Sequence, residues 1–176
     1  MSNFPKHLIN GYKNFMSGRY SAERDRYHRL ANEGQKPSTM VIACCDSRAA
    51  PETIFDSGPG ELFVLRNVAN LVPPFSPDGG QHGTSAGIEF AVRALKVEHI
   101  IVMGHASCGG IATALTPDLE PLAEGDFIGK WLALVEPVAS QFPDNGLMTQ
   151  KERQTSFERI SIRNSIKNLR GFPYIS

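Results

Sequence analysis

Leu8, Tyr12, Phe15 and Met16 recur at helical spacing behind Pro5, and a second helical stretch runs from about Ala22 until Gly34 stops it. The first forty residues therefore read as two helices. The pattern then changes period. TMVIAC, ending at Cys44, is a β-branched and apolar run of strand length, followed by the loop CDSRAA and a short helix that Pro51 can start. A second strand, ELFVLR, follows the turn-rich SGPG. NVANLVPPFSPDGGQHG is rich in Pro, Gly and Asn and reads as a long irregular loop, a kind that usually carries function inside a compact domain.

Beyond that loop, Ile88, Ala91, Val92 and Leu95 mark one face of a helix, and HIIVMG gives a third strand ending at Gly104. This β-α-β-α-β order predicts an α/β fold, a mostly parallel β-sheet flanked by helices, whose ligand site lies beyond the carboxyl ends of the strands. CCDSR and GHASCGG both fall at that rim. Phe127, Trp131, Leu134 and Val135, and then Phe157, Ile160, Ile162, Ile166 and Leu169, read as helical packing. Without internal repeats or low-complexity linkers, and at 176 residues, the chain is expected to form one domain.

Charge narrows the partners. Eighteen basic residues balance eighteen acidic ones, which excludes the positive field that tracks a phosphate backbone, so no nucleic-acid partner is expected. The longest apolar runs fall far short of the roughly 20 residues of a membrane-spanning helix, so no membrane partner is expected either. MSNFPKHLINGYKNF mixes charged and polar groups where a secretory peptide would be apolar, which points to a cytoplasmic location. An odd set of three cysteines argues against a disulfide framework and toward metal or thiol chemistry.

Zinc takes thiolate and imidazole ligands in tetrahedral geometry, with one position left open in catalytic sites. Cys44 ends the first strand and His105-Ala-Ser-Cys108 opens the turn after the third, so two parallel strands would bring them together. Taken singly, a strand-end Cys is more often a small buried hydrophobe and a His before a Gly-rich turn a capping donor. Together they supply the soft ligands that zinc selects, at the rim where this architecture binds ligands. Consecutive residues leaving a strand point to opposite sides, so Cys44 is taken as the ligand and Cys45 as a packed or exposed neighbour. Asp46 and Arg48 suit an ion pair beside the metal; the carboxylate could orient the reacting water or bind the ion itself, and without zinc ligands nearby the pair would read as a solvated turn. Gly109-Gly110, before a helix at residues 111–115, would present backbone N–H groups suited to a bicarbonate-sized anion, but they lack the spacing of a nucleotide-binding loop.

The motifs Cys44-Cys45-Asp46-Ser47-Arg48 and His105-Ala106-Ser107-Cys108, with PETIFDSGPGELFVLRNVANLVPP and GTSAGIEFAVRALKVEHIIVMGHASCGG around them, closely resemble the β class of carbonic anhydrases over roughly residues 35 to 112. The resemblance implies one Zn2+ per chain on Cys44, His105 and Cys108, a catalytic dyad of Asp46 and Arg48, and a substrate pocket of Gln35, Phe63, Val68, Phe90 and Gly109. It further implies a homodimer or larger assembly with the pocket at the subunit boundary. Residues 1–34 would form a helical arm packing on the partner and residues 35–176 the α/β core. Phe90 stands where many plant-type members carry Tyr, which keeps the wall and removes a hydroxyl.

Some bacterial members carry a second bicarbonate site that includes a Trp three residues before the first ligand. Here that position is Val41, although Arg66 matches another part of the site, so the metal is expected to keep an open position with Asp46 off it near neutral pH. Family members usually continue past SIRNSIKNLRGFPYIS into one more strand, which the core is expected to lack. The implied reaction is reversible hydration of carbon dioxide to bicarbonate and a proton, rising with pH because two thiolates oppose acidification of the metal's water. The competing readings are hydrolysis of carbon disulfide or carbonyl sulfide on the same scaffold, and a closed structural zinc domain. His82, in the irregular loop, is more simply a bystander than a proton shuttle.

Overall fold

The computed structural model describes residues 4–116, 120–142 and 144–175; the expectation about the chain's end concerns Ser176, which lies outside them. Met1–Lys36 and Pro37–Ser176 form separate compact units. In the first, three helical segments replace the two expected: α1 (Lys6–Ser17), α2 (Arg19–Ala22) and α3 (Arg24–Glu33). The break falls at Gly18, whose ψ of −97° leaves the helical region and where a Cβ would lie 2.9 Å from the Asn14 carbonyl oxygen. Phe15, Tyr20 and Tyr27 then pack into one aromatic cluster with ring centroids 5.3 to 5.8 Å apart. Gly34, at φ +79°, ends α3 as the sequence predicts.

The second unit is built on a parallel sheet in the order β2-β1-β3, with β1 (Thr39–Cys44), β2 (Leu62–Asn67) and β3 (His99–Met103). β1 is central and buried on both faces from Met40 to Cys44, which explains why TMVIAC is a continuous apolar run and does not alternate. Its register pairs Met40 with Phe63 and Ile100, and Cys44 with Asn67. A 3-10 turn at Ser47–Ala49 and the short α4 (Pro51–Ile54) follow β1. The irregular loop after β2 begins with a 3-10 turn at Val68–Asn70.

α5 (Gly83–Glu89) continues into a π-helical turn, Phe90–Leu95, a widening that the simple 3.6 period did not reveal. Ile88 and Ala91 still face inward, joining Met40, Ile42, Val72, Leu169 and Phe172 in one buried cluster. A second cluster gathers Cys44, Ala49, Ala69, Leu71, Cys108, Ile111, Leu132, Val135 and Phe157. Its helices are α6 (Gly109–Ala114), α7 (Phe127–Leu132), α8 (Glu136–Ala139) and α9 (Gln150–Leu169). Phe127, expected to pack, is 84% exposed as the first residue of α7, whereas Val135 is buried as expected and Leu132 joins it in the core.

α9 touches both clusters, through Phe157 near its middle and Leu169 at its C-terminal end. It passes so close to the end of β3 that a Cβ on Gly104 would meet Ile162 Cδ1 at 2.6 Å. A capping box starts it: the Thr149 side chain accepts from the Glu152 N–H and the Glu152 carboxylate accepts from the Thr149 N–H. Replacing Thr149 by Ala is expected to lower stability by about 1 kcal/mol, read from urea unfolding at pH 7. The Thr149 amide, which Ala keeps, and the Thr149 hydroxyl, which Ala removes, both donate to the Glu152 carboxylate and hold its carboxyl below the ordinary range. Its contribution is therefore present above the unfolded carboxyl's pKa and is lost as pH falls through the depressed folded one, so the gap between variant and wild type should narrow in acid.

Candidate metal centre

Two chain segments meet at the carboxyl rim of the sheet. Cys44 is the last residue of β1, and Cys45, the next, turns outward: Cys44 is buried and Cys45 exposed. After β3 the chain runs through His105 to Cys108, which caps α6. Two left-handed or tight features shape this second loop. Ser107 has φ +54°, and Gly110 lies where a Cβ would meet Val68 Cγ1 at 2.8 Å and Ala69 Cβ at 3.0 Å. Any side chain at 110 would therefore push α6 off the turn at Val68–Asn70.

Cys44, His105 and Cys108 offer ligand atoms that all lie within 4.8 Å of one another, the one such group among the described residues. The two Sγ atoms are 4.0 Å apart. Thiolates about 2.3 Å from a tetrahedral zinc lie about 3.8 Å from each other, so the pair is spaced for that ion. His105 supplies a second sign of fit. Its Nδ1 lies 3.0 Å from the Ala106 carbonyl, which makes Nδ1–H the donor and leaves the lone pair on Nε2. Nε2 is buried with no hydrogen-bond partner among the described residues, a costly arrangement unless a cation accepts that lone pair. Burial pushes the Cys108 thiol upward. A cation is the charge that would favour its thiolate.

Asp46 and Arg48 lie beside this group. Arg48 grips the carboxylate in two parallel bonds, Nε to Oδ1 at 2.9 Å and Nη2 to Oδ2 at 2.8 Å, and its backbone N–H adds a third at 2.9 Å. These hydrogen bonds hold the Asp46 carboxyl well below the usual carboxylate range, and Asp46 in turn raises the Arg48 pKa. The Asp46 N–H donates to Cys44 Sγ at 3.4 Å, so the loop turns a dipole toward that sulfur. Arg66, from β2, fixes the backbone beneath: its Nε donates to the Cys44 carbonyl at 2.8 Å and its Nη2 to the Asp46 carbonyl at 2.6 Å.

The remaining sequence-predicted residues are spread more widely. Val68 sits over Gly110 and is 37% exposed, and its carbonyl accepts from Trp131 Nε1 at 2.8 Å. Phe63 packs against the half-exposed Phe90 with centroids 5.8 Å apart. Gly109 is the exposed first residue of α6, with open space around it. At six residues, α6 is too short to make an anion site of its N-terminus alone. Gln35 belongs to the N-terminal unit, where it is exposed. His82 pairs with Asp78 at 2.6 Å on the loop surface.

Sequence reasoning missed the residues that hold the ligand backbone. Arg66 was noted only for a resemblance, and Glu158 and Gln154 were not singled out. The available signal was weak: Glu158 falls on the same stripe of α9 as Phe157, Ser161 and Ser165, and a carboxylate on a buried stripe calls for a partner.

A family model described as carbonic anhydrase matches residues 39–176. The chain is 36% identical over 172 residues to a carbonic anhydrase of Synechococcus elongatus, covering 96% of this chain and 61% of that protein. It is 35% identical over 165 residues to the chloroplastic beta carbonic anhydrase 5 of Arabidopsis thaliana, covering 92% of this chain and 52% of that one. The chain thus spans about half to three fifths of these relatives' length. Among solved structures, the β-carbonic anhydrase CcaA superposes with a TM-score of 0.87 at 33% identity, over 97% of this chain and 75% of that one. One of two tetrameric β-carbonic anhydrases from Sordaria macrospora gives 0.77 at 31% identity, over 96% and 82%. β-Carbonic anhydrases are zinc enzymes, and the Cys-His-Cys group has the donors and spacing for one zinc ion. With its parallel sheet, its rim of soft ligands and these relatives, the chain belongs to the carbonic anhydrase family, in the β class.

Proposed function

We propose that the chain catalyses the reversible hydration of carbon dioxide to bicarbonate and a proton. The observation that carries this reading is the placement of a three-donor zinc site directly beside a carboxylate that an arginine holds in one orientation. Zinc held by Cys44, His105 and Cys108 would supply a Lewis acid that makes water nucleophilic near neutral pH.

The chain's own groups do the rest. Asp46, held far below the usual carboxylate range, stays ionised near neutral pH and therefore acts as a hydrogen-bond acceptor and not as a base. Its role is to accept a hydrogen bond from the attacking water and to hold that water's lone pair toward carbon. Arg48 keeps the carboxylate in one orientation, which would hold it back from a zinc ion on the three ligands and leave room there for water and substrate. Arg66 fixes the carbonyls of Cys44 and Asp46, so ligand and carboxylate move as one unit. Val68, over Gly110, serves as an apolar wall suited to an uncharged, weakly hydrated substrate, and Gly109 leaves room beside the ligands. Phe63 and Phe90, which lie about four strand residues from the Cys44 end of the sheet, serve as apolar walls, and Gln35 as a polar donor, in the pocket of a neighbouring subunit. Two thiolate ligands oppose acidification of water, so turnover rises with pH.

The proposal extends to assembly. α1 exposes Leu8, Ile9, Tyr12 and Met16, an apolar face that supports residues 1–34 acting as an arm on a partner subunit and residues 35–176 as the core. The tetrameric Sordaria enzymes support a homo-oligomer, and the pocket is assigned to its subunit boundary. Two ligands that must stay reduced, in a chain with three free cysteines, suit a cytoplasmic setting. No helix of the described residues is long and apolar enough to cross a membrane.

Stopped-flow hydration by the zinc-loaded chain, from about pH 6.5 to 9, tests the reading. Activity should rise with pH and fall about 100-fold or more in Asp46→Ala, a loss typical of removing one preorganised group at the reacting centre. No hydration by a folded, zinc-loaded chain would overturn it, and full activity in Asp46→Ala would remove Asp46 from the mechanism.

A further inference from the structure

The peptide group between Ser107 and Cys108 is held at both ends by residues far away in sequence. Its carbonyl accepts from Arg48 Nη2 at 3.1 Å, and its N–H donates to Glu158 Oε1 at 2.9 Å. The next carbonyl, that of Cys108, accepts from Gln154 Nε2 at 3.2 Å, and the same Nε2 donates to Glu158 Oε1 at 3.0 Å. Glu158 is 7% exposed and Cys108 1%, so the bond between them forms out of water, where leaving the Cys108 N–H unpaired would be costly. The arrangement replaces a local device. Cys108 stands at the N-cap of α6, and in a capping box the N–H of that residue is taken by a Glu or Gln three positions on. That position is Ile111, and Glu158 on α9 takes the N–H instead.

We propose that Glu158 is a positioning residue of the metal centre: with Gln154 it locks the Ser107–Cys108 peptide, so that Cys108 Sγ faces Cys44 and the Ser107 carbonyl faces Arg48. Ser107 sits at φ +54°, a conformation that a non-glycine residue keeps only when its surroundings hold it. Rotation of this peptide would take the N–H from Glu158 and the carbonyl from Arg48 together, and would swing a zinc ligand. Glu158 thereby couples the ligand loop to α9, and the Asp46–Arg48 pair grips the opposite end of the same peptide.

This inference rests on the zinc reading above, and zinc binding by the wild-type chain tests that reading separately. The proposal itself is tested with Glu158→Gln, which keeps the reach and an acceptor oxygen, Glu158→Asp, which is one methylene shorter, and Glu158→Ala. The readouts are zinc affinity by competition with a chromophoric chelator, the thiolate-to-cobalt absorption bands of the cobalt-loaded proteins, and melting of the metal-free proteins. Zinc affinity should fall about 10- to 100-fold in Asp and Ala, the usual loss for an outer partner of a metal ligand, with weakened cobalt–thiolate bands, and stay within about 3-fold in Gln. A purely structural role would lower melting of the metal-free protein but leave the bands of the folded fraction unchanged. Wild-type affinity and bands in Glu158→Asp, or a loss in Gln as large as in Ala, would overturn the proposal. Should the shortened variants fail to fold, Gln154→Ala decides: a loss of about 10-fold in zinc affinity supports it and unchanged affinity overturns it.

Discussion

Cys108→Ala is expected to give a folded chain that retains no stoichiometric zinc after dialysis and hydrates carbon dioxide at the background rate. Structural zinc sites are worth about 10–16 kcal/mol over four ligands, so one ligand accounts for about 3 to 4 kcal/mol, or roughly 100- to 1,000-fold in affinity. The only cysteine left besides Cys44 is Cys45, which is exposed and leaves β1 on the opposite side, so it is badly placed to substitute. Folding should survive, because the side chain removed is small and α6 keeps its contacts through Ile111. Zinc content by metal analysis, beside circular dichroism of the same sample, checks both halves. One zinc per chain retained in Cys108→Ala would mean that the ion is held elsewhere.

Phe157→Ala is expected to cost about 3–5 kcal/mol, a large share of the 5–15 kcal/mol that holds an ordinary domain folded. Phe157 is fully buried, stacks on Phe142 with centroids 6.1 Å apart, and belongs to the cluster that contains Cys44 and Cys108. Its ring thus packs the floor on which the ligands rest. Because zinc binds only the folded site, saturating zinc should recover part of the lost stability. Urea unfolding with and without zinc measures both effects; a loss under about 1 kcal/mol would show that Phe157 does not carry the packing assigned to it.

Much of this was legible in the chain. The strands could be read because apolar β-branched runs have few other uses, and the parallel order followed from the helical pattern between them. Cys44, His105 and Cys108 stood out because their chemistry is rare and clusters at strand ends. Their meeting within 4.8 Å follows from β1 and β3 being neighbours, which topology rules allow one to anticipate. The π-helical turn at Phe90–Leu95 and the break at Gly18 were not legible, since both keep the apolar spacing of a helix nearly intact. Arg66, Gln154 and Glu158 escaped for a different reason. They act on backbone groups of residues 20 to 50 positions away, and a backbone partner leaves no mark in the residue types around it.

The central claim is that three protein ligands hold zinc while Arg48 keeps Asp46 away from the fourth position. X-ray absorption at the zinc edge of the loaded chain, at about pH 8 and beside Asp46→Ala, measures this directly. Two sulfur neighbours near 2.3 Å and two lighter neighbours near 2.0–2.1 Å are predicted, with the same shell in the variant. Three sulfur neighbours, or a lighter neighbour lost in Asp46→Ala, would contradict an open three-ligand centre.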